Sequence, residues 1–365
     1  MMIVKKKKKK TKFKFRFKIK KEHLNFNFFS FLKLIIIILI IIGFKNNWID
    51  RLIEKIIYEF SNIFSKNELL DKITIPNIPK DPNFEYFCCF CTMGKEENLY
   101  VRELISYYQK IGVEKFIIGD NNFLNSEKFT DVIQDYINNG IVDLKNLRGK
   151  KIKQGEFFSD MYEEYKKKCK WITFFDFDEY LTMVNKQGKY ISLQEFLNKD
   201  FDKCENIIVN WLMYTDNGYA YYNNKPLIKR FTTSDYNNPA NIFEKSIVRG
   251  NLNYSIFGKG ESNHIANPNI ALCNTKGEKY NSSLSIKDKL MNARALLMHF
   301  NTKTAEEYAK KIDRGYPGYV KEPLNNRLDL FFHHNKLNMK KIKVFEKYFH
   351  IDLQKTFGDK LRYKG

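Results

Sequence analysis

Nothing in this 365-residue sequence repeats at a fixed period, and its longest unbroken apolar run, Leu34–Phe44, is eleven residues. The first absence excludes solenoid and propeller arrays. The second falls short of a plain membrane span, since eleven helical residues reach about 16 Å and a bilayer core takes ~20 residues. The run ends Gly43-Phe44-Lys45, with no small-residue cleavage site of the Ala-x-Ala kind, which argues against a removed secretory signal. The six cysteines lack the paired clusters of a structural zinc site: Cys88, Cys89 and Cys91 share one apolar run, while Cys169, Cys204 and Cys273 are scattered.

What is present is charge, and it is polarised. The formal net charge is +21, yet Lys5 to Lys10 with Lys12, Lys14, Arg16, Lys18, Lys20, Lys21 and Glu22 put +11 of it in the first 22 residues. A basic tail on a nearly balanced body does not make the basic face expected of a nucleic-acid binder, so no nucleic-acid partner is expected. Extending the apolar run back to Phe26 gives nineteen positions interrupted by Asn27, Ser30 and Lys33. Lys33 can snorkel toward the basic side, and Trp48 lies where an interfacial anchor belongs. The expected organisation is a basic cytoplasmic tail (1–25), a transmembrane signal anchor (26–44), a stem (45–84), a folded domain (85–335) and a C-terminal helical extension (336–365). The positive-inside tendency places everything after the anchor across the membrane, a single-pass type II topology. Asn253-Tyr254-Ser255 and Asn281-Ser282-Ser283 are glycosylation acceptors in that setting.

Hydrophobic and aromatic contents of 43% and 16% are ample for a large core. The stem carries an amphipathic pattern over Ile49–Phe64, broken by Pro76 and Pro79. From Glu85 the pattern alternates strand and helix: strands at Tyr86–Thr92, Lys115–Gly119, Ile141–Leu144 and Trp171–Phe177, with helices at 101–111, 126–138 and 156–168 between them. This predicts an α/β fold with a mostly parallel, Rossmann-like sheet flanked by helices. Glu205–Trp211, Lys245–Arg249 and Ala295–His299 read as further short strands. Thr304 has capping-box spacing to Glu307, and Gly315 closes that helix.

The densest chemical signal is Trp171-Ile172-Thr173-Phe174-Phe175-Asp176-Phe177-Asp178-Glu179-Tyr180. A short aromatic strand runs straight into three carboxylates, and ligands of open α/β sheets sit beyond the carboxyl ends of strands. Asp176 and Asp178 are two apart and project to one side of an extended chain. Two such carboxylates repel unless a cation or proton lies between them; Mg²⁺ or Mn²⁺ suits oxygen ligands shared with phosphates. An acidic turn after a core strand is the alternative reading of the same residues.

The ordered set of Cys91-Thr92-Met93-Gly94-Lys95-Glu96-Glu97-Asn98, Arg102-Glu103, Gly112-Val113, Gly119-Asp120-Asn121-Asn122, Trp171 to Tyr180, Asn210-Trp211, Lys245 to Arg249, His299-Phe300, Thr304 to Glu307 and Arg314-Gly315 resembles the glycosyltransferase-2-like group related to glycosyltransferase family 92. The resemblance covers about residues 85–330. It implies a GT-A fold, a nucleotide-sugar donor (a UDP-sugar by preference), a glycan or glycoconjugate acceptor, an inverting reaction and a Golgi or ER lumenal location. It implies donor contacts at Asp120, Glu97, Asp160 and Asp176, and metal contacts at Asp176, Asp178 and His299. Asp120 before two asparagines also reads as a plain turn, Glu96 departs from the Asn often found there, and Asp160 could equally be an exposed helix residue. His299 could be a core histidine. Asp216 and Glu179 are the candidates for a catalytic carboxylate, Asp216 the preferred one. Arg249, Lys303 and Arg314 could offset diphosphate charge, although in so Lys-rich a chain each reads as surface.

Two rivals follow from other classes. Haloacid-dehalogenase-type phosphatases also place Asp-x-Asp after an apolar strand, but they expect Thr or Val where Tyr180 stands and a downstream Asp-Asp pair, and the chain has none. A membrane-anchored sugar- or nucleotide-binding module without activity is the other.

Overall fold

A computed structural model describes residues 73–79, 81–197, 200–253, 271–315, 324–353 and 355. The basic tail, the anchor over 26–44 and the amphipathic stretch of the stem lie outside the described residues. Among the described residues no helix is long and apolar enough to cross a membrane. These residues belong to one compact unit, 67–365.

The elements in chain order begin with β1 (Tyr86–Gly94), α1 (Asn98–Lys110), β2 (Lys115–Asp120), α2 (Thr130–Asn138), β3 (Val142–Asn146), α3 (Gln154–Tyr165) and β4 (Cys169–Phe174). There follow β5 (Glu179–Met183), α4 (Leu193–Leu197), β6 (Asn206–Tyr214), α5 (Leu227–Arg230), β7 (Ser234–Asp235), β8 (Glu244–Arg249) and β9 (Leu272–Cys273). The chain ends with α6 (Ile286–Met291), β10 (Ala295–His299), α7 (Ala305–Arg314), α8 (Leu324–His334) and α9 (Met339–Phe349).

The strands form one sheet in the order β3-β2-β1-β4-β8-β6-β10-β5, with β7 and β9 attached to β6. The expectation of a mostly parallel sheet describes only the first half. Strands β3, β2, β1 and β4 are parallel, as their crossover helices require. Beyond β4 the pairing mixes: β8 is antiparallel to both β4 and β6, β10 is parallel to β6, and β5 is antiparallel to β10. The chain therefore leaves β4 in the middle of the sheet and re-enters it as β5 at the far edge. The Asp176–Asp178 segment is that crossing.

The two sheet faces bury different side chains, as strand alternation demands. In β1, Cys88 and Phe90 join the larger core under α1, while Cys89 and Cys91 join the core under α3 with Phe157, Phe158 and Tyr162. Helices α7, α8 and α9 build a third cluster around Tyr308, Phe331 and Phe345. Disulfides join Cys89 to Cys169 and Cys204 to Cys273, while Cys88 and Cys91 are free and buried.

Candidate active site

Strand β4 stops at Phe174, three residues before the end the apolar run predicts: Phe174 is its last residue in register with Cys91 of β1 and with Ser246 of β8, although β1 runs on to Gly94 and β8 begins at Glu244. The freed chain turns, and Phe177 packs beneath Gly94 and stacks on Phe129 with ring centroids 5.4 Å apart. A Cβ on Gly94 would stand 2.3 Å from the Phe177 ring, so glycine is what lets the aromatic ring through. Below the turn, α1 holds β5 with two tyrosines. Tyr108 donates to the Glu179 carbonyl (2.8 Å) and accepts from Leu181 N–H (3.0 Å), and Tyr107 donates to the Leu181 carbonyl (2.8 Å).

The turn separates the two aspartates. Asp176 receives the Gln154 side-chain amide on one oxygen (2.5 Å) and Lys245 Nζ of β8 on the other (2.8 Å). Burial opposes its charge, but Lys245 overcomes that and lowers the carboxyl below its ordinary range. Asp178 lies deeper. Its Oδ2 takes Lys311 Nζ of α7 at 2.7 Å and faces Lys303 Nζ at 3.5 Å, while its Oδ1 is 3.5 Å from His299 Nε2 at the end of β10. Burial again works against ionisation, and Lys311, Lys303 and His299 outweigh it and hold the carboxyl well below its usual range. Burial lowers the His299 pKa, partly countered by Asp178, so the ring is favoured neutral. The indole of Trp211 lies against it, centroids 4.1 Å apart.

Asp176 and Asp178 therefore do not converge on one point as an extended chain would have them do. Among the described residues no three His, Cys, Asp or Glu side chains gather into a metal-binding group. Asp178 and His299 do fit as a pair of ligands, a carboxylate oxygen beside a buried neutral imidazole, the donor set that suits Mn²⁺ with phosphate oxygens or water completing the shell. Asp176 is committed to Lys245.

The other expected residues scatter in an informative way. Glu97, in the loop after β1, is buried and ion-pairs with Arg314 of α7, which also donates to the Glu96 carbonyl (2.9 Å). Asp120 ends β2 buried; it accepts from Asn122 N–H (3.0 Å), the turn its neighbours suggest, and its other oxygen is 3.8 Å from Arg148. Asp160 is exposed on α3, whose buried face carries Phe157, Phe158 and Tyr162 instead. Glu179 is fully buried; it accepts from Asp176 N–H (2.9 Å), and burial raises its pKa well above the ordinary value, with Lys245 at 3.7 Å offsetting only part. Asp216 is tied elsewhere, its carboxylate accepting from Gly218 N–H (2.8 Å) and pairing with buried Lys341 of α9 (2.5 Å). Asp216 is thus held by Lys341 and Gly218, while the Oε1 oxygen of Glu179 has no hydrogen-bond partner among the described residues.

Of the three cations read as surface, two are not. Lys303 is 4% exposed and Arg314 is nearly buried. Arg249 instead serves the fold, donating to the Cys204 and Phe201 carbonyls. Sequence reasoning missed Gln154 and Lys311 and counted Lys245 only as strand. One signal was available for Lys311: Glu307, Lys311 and Arg314 stand at i, i+4 and i+7, a single stripe of α7. Glu103 of α1 is a further carboxyl near Lys303, pushed up to about 7 by burial against the Leu227 N–H bond that favours its charge.

The family model for Glycosyltransferase family 92 matches residues 84–343. The chain belongs to glycosyltransferase family 92. It is 29% identical over 114 residues to a family 92 protein of Ricinus communis and 27% identical over 100 residues to one of Oryza sativa subsp. japonica. Those alignments cover 29% and 27% of this chain but only 18% and 17% of the two relatives. Among solved structures, S. aureus TarS residues 1–349 is similar at a TM-score of 0.29 and 11% identity, covering 75% of this chain and 73% of that one. The same TarS fragment in complex with UDP gives 0.30 and 10% over the same shares.

Proposed function

We propose that this family 92 chain is a membrane-anchored glycosyltransferase that moves a sugar from a nucleotide-sugar donor, a UDP-sugar by preference, to a glycan or glycoconjugate acceptor with inversion. The observation that carries the reading is the setting of Asp178. It is a buried carboxylate, held well below its usual pKa, just beyond the carboxyl end of β4, beside a histidine favoured neutral and facing two lysines. Carboxylate, imidazole and ammonium groups together suit a substrate that is a sugar joined to a diphosphate. Asp178 and His299 would hold Mn²⁺ or Mg²⁺, which supplies Lewis-acid neutralisation of the charge on the departing diphosphate. Lys245 and Gln154 keep Asp176 charged and oriented at the more open side of the turn, where its 30% exposed side chain can meet the donor. Trp211, packed against His299, shields that side of the site from water, which strengthens the charges there.

The lumenal topology is part of the same proposal, supported by the two disulfides, since such bonds persist in oxidising compartments. Asn281 is exposed and would carry a glycan there; a mobility shift removed by endoglycosidase and by Asn281→Gln is the expected result. The purified full chain should turn over a UDP-sugar with Mn²⁺ and stop in EDTA or with Asp178→Ala. Turnover that ignores both would remove the site assignment. UDP binding without turnover across a donor panel would leave a binding module.

A further inference from the structure

The segment joining β7 to β8 inverts the usual order of burial. Asn238 is 3% exposed and Asn241 fully buried, whereas Tyr236, Ile242 and Phe243 are 51%, 52% and 48% exposed. Buried amides beside exposed large apolar side chains are the informative departure from ordinary packing, and grouped apolar exposure marks a binding surface.

The two asparagines pin the segment in place. Asn241 accepts from Met213 N–H of β6 (2.8 Å) and donates to the Asp235 carbonyl (2.8 Å). Asn238 accepts from Ala240 N–H (3.0 Å), donates to Asp235 Oδ2 (3.1 Å) and lies 2.6 Å from His334 Nδ1 of α8. At the far end Trp211 N–H donates to the Phe243 carbonyl (3.0 Å). A backbone held at so many points keeps the Phe243 ring where it stands.

That place adjoins the candidate active site. The Phe243 ring is 5.2 Å from the Trp211 ring, which in turn is 4.1 Å from His299 and 6.0 Å from Lys245 Nζ. His299 faces Asp178 and Lys245 holds Asp176, so Trp211 meets a partner of each aspartate. Phe243 is one ring further out. The chemistry of its segment is neutral: over 231–243 Asp235 is the only charged residue, in a chain with 29% charged residues, and Asn237 N–H and Asn238 occupy its carboxylate. An anionic ligand finds no cation in this segment. A pyranose fits it, because the polarised C–H bonds on one face of the sugar meet the electron-rich face of an aromatic ring.

We propose that Phe243, backed by Trp211, is the stacking platform for the terminal sugar of the acceptor, and that this sugar is a neutral pyranose. The inference rests on the glycosyl-transfer reading above and adds to it an acceptor subsite on the segment between β7 and β8.

The test uses Phe243→Ala, which removes the ring, Phe243→Leu, which keeps apolar bulk without a ring, and Phe243→Trp, which restores one. The full chain with Mn²⁺ and UDP is titrated with methyl β-galactoside, methyl β-glucoside, methyl β-N-acetylglucosaminide and methyl α-mannoside. Saturation-transfer NMR reads the binding, UDP affinity is measured alongside, and thermal melts show each variant folded. At least one glycoside should bind the wild type. Phe243→Ala and Phe243→Leu should weaken that binding about tenfold, as loss of an aromatic contact predicts, while Phe243→Trp retains it and UDP affinity is the same throughout. Unchanged glycoside affinity in Phe243→Ala or Phe243→Leu, or no glycoside binding by wild-type protein that binds UDP, overturns the inference and leaves the donor reading intact. A wild-type dimer that Phe243→Ala dissociates in sedimentation also overturns it, because a second copy then covers the ring. Wild-type protein that does not bind UDP overturns both.

Discussion

Asp176 and Asp178 are the same residue two positions apart, yet the molecule treats them differently. Asp176 is 30% exposed and takes its partners from α3 and β8, elements beside the parallel half of the sheet. Asp178 is 7% exposed and takes its partners from β10 and α7, at the other side of the turn. One aspartate closes the sheet's seam and opens toward solvent, while the other sits inside a cluster of cations assembled from the end of the chain. Proximity in sequence places both at the end of β4, and the partners then decide their chemistry.

The largest effect should come from the deeper carboxylate. Asp178→Asn is expected to lower turnover of a UDP-sugar by about 10²–10³, the range for losing one preorganised charged group, and Asp176→Asn by clearly less. Initial rates with saturating Mn²⁺ read this directly, and equal losses would erase the distinction between the two sites. Lys245→Met tests the open side. Removing the cation leaves Asp176 and Glu179 unbalanced, but water can reach Asp176, so a loss of about 1–3 kcal/mol in urea unfolding is expected rather than more. A loss at the upper limit for buried pairs would mean Asp176 is not the wetter of the two. Gly94→Ala drives a methyl into the Phe177 ring between the aspartates. Overpacking of this kind costs about 1–3 kcal/mol, and turnover should fall along with stability because the turn itself must shift.

The smallest expected effect separates carboxyls by sign. Asp178 has a depressed pKa, so the stability it contributes is present above its ordinary 3.8 and is lost as pH falls through its lower folded value. Glu103 has its pKa raised from 4.5 to about 7. Its folded form holds the proton more tightly than the unfolded chain, so stability should decline as pH rises from 4.5 to about 7. Glu103→Gln should flatten that window in pH-dependent thermal melts. A decline of the same slope in the variant would refute the assignment.

How legible the site was depends on which interactions made it. The apolar strand at Trp171, the strand Ala295–His299 and the Thr304–Glu307 capping box are local patterns; the structure has the last two where the spacing puts them, and the first as Cys169–Phe174, ending three residues early. Asp160 was not legible as exposed, because the face of α3 that turns outward is set by its packing on β1 and β4. Asp216 reads like a loop carboxylate until α9 brings Lys341 to it from 125 residues away. Strand β5 was missed because its pairing partner, β10, lies more than a hundred residues on.

Hydrophobic periodicity alone determined the strand–helix alternation, and residue order alone put an Asp-x-Asp at the end of a buried strand. Tertiary structure decided which lysines answer those aspartates. Lys245 comes from 69 residues beyond Asp176 and Lys311 from 133 beyond Asp178. In a chain with 63 lysines and arginines no spacing rule distinguishes these from solvated ones. Burial does: a cation inside the fold is kept only where an anion meets it, and only the folded sheet brings the two together.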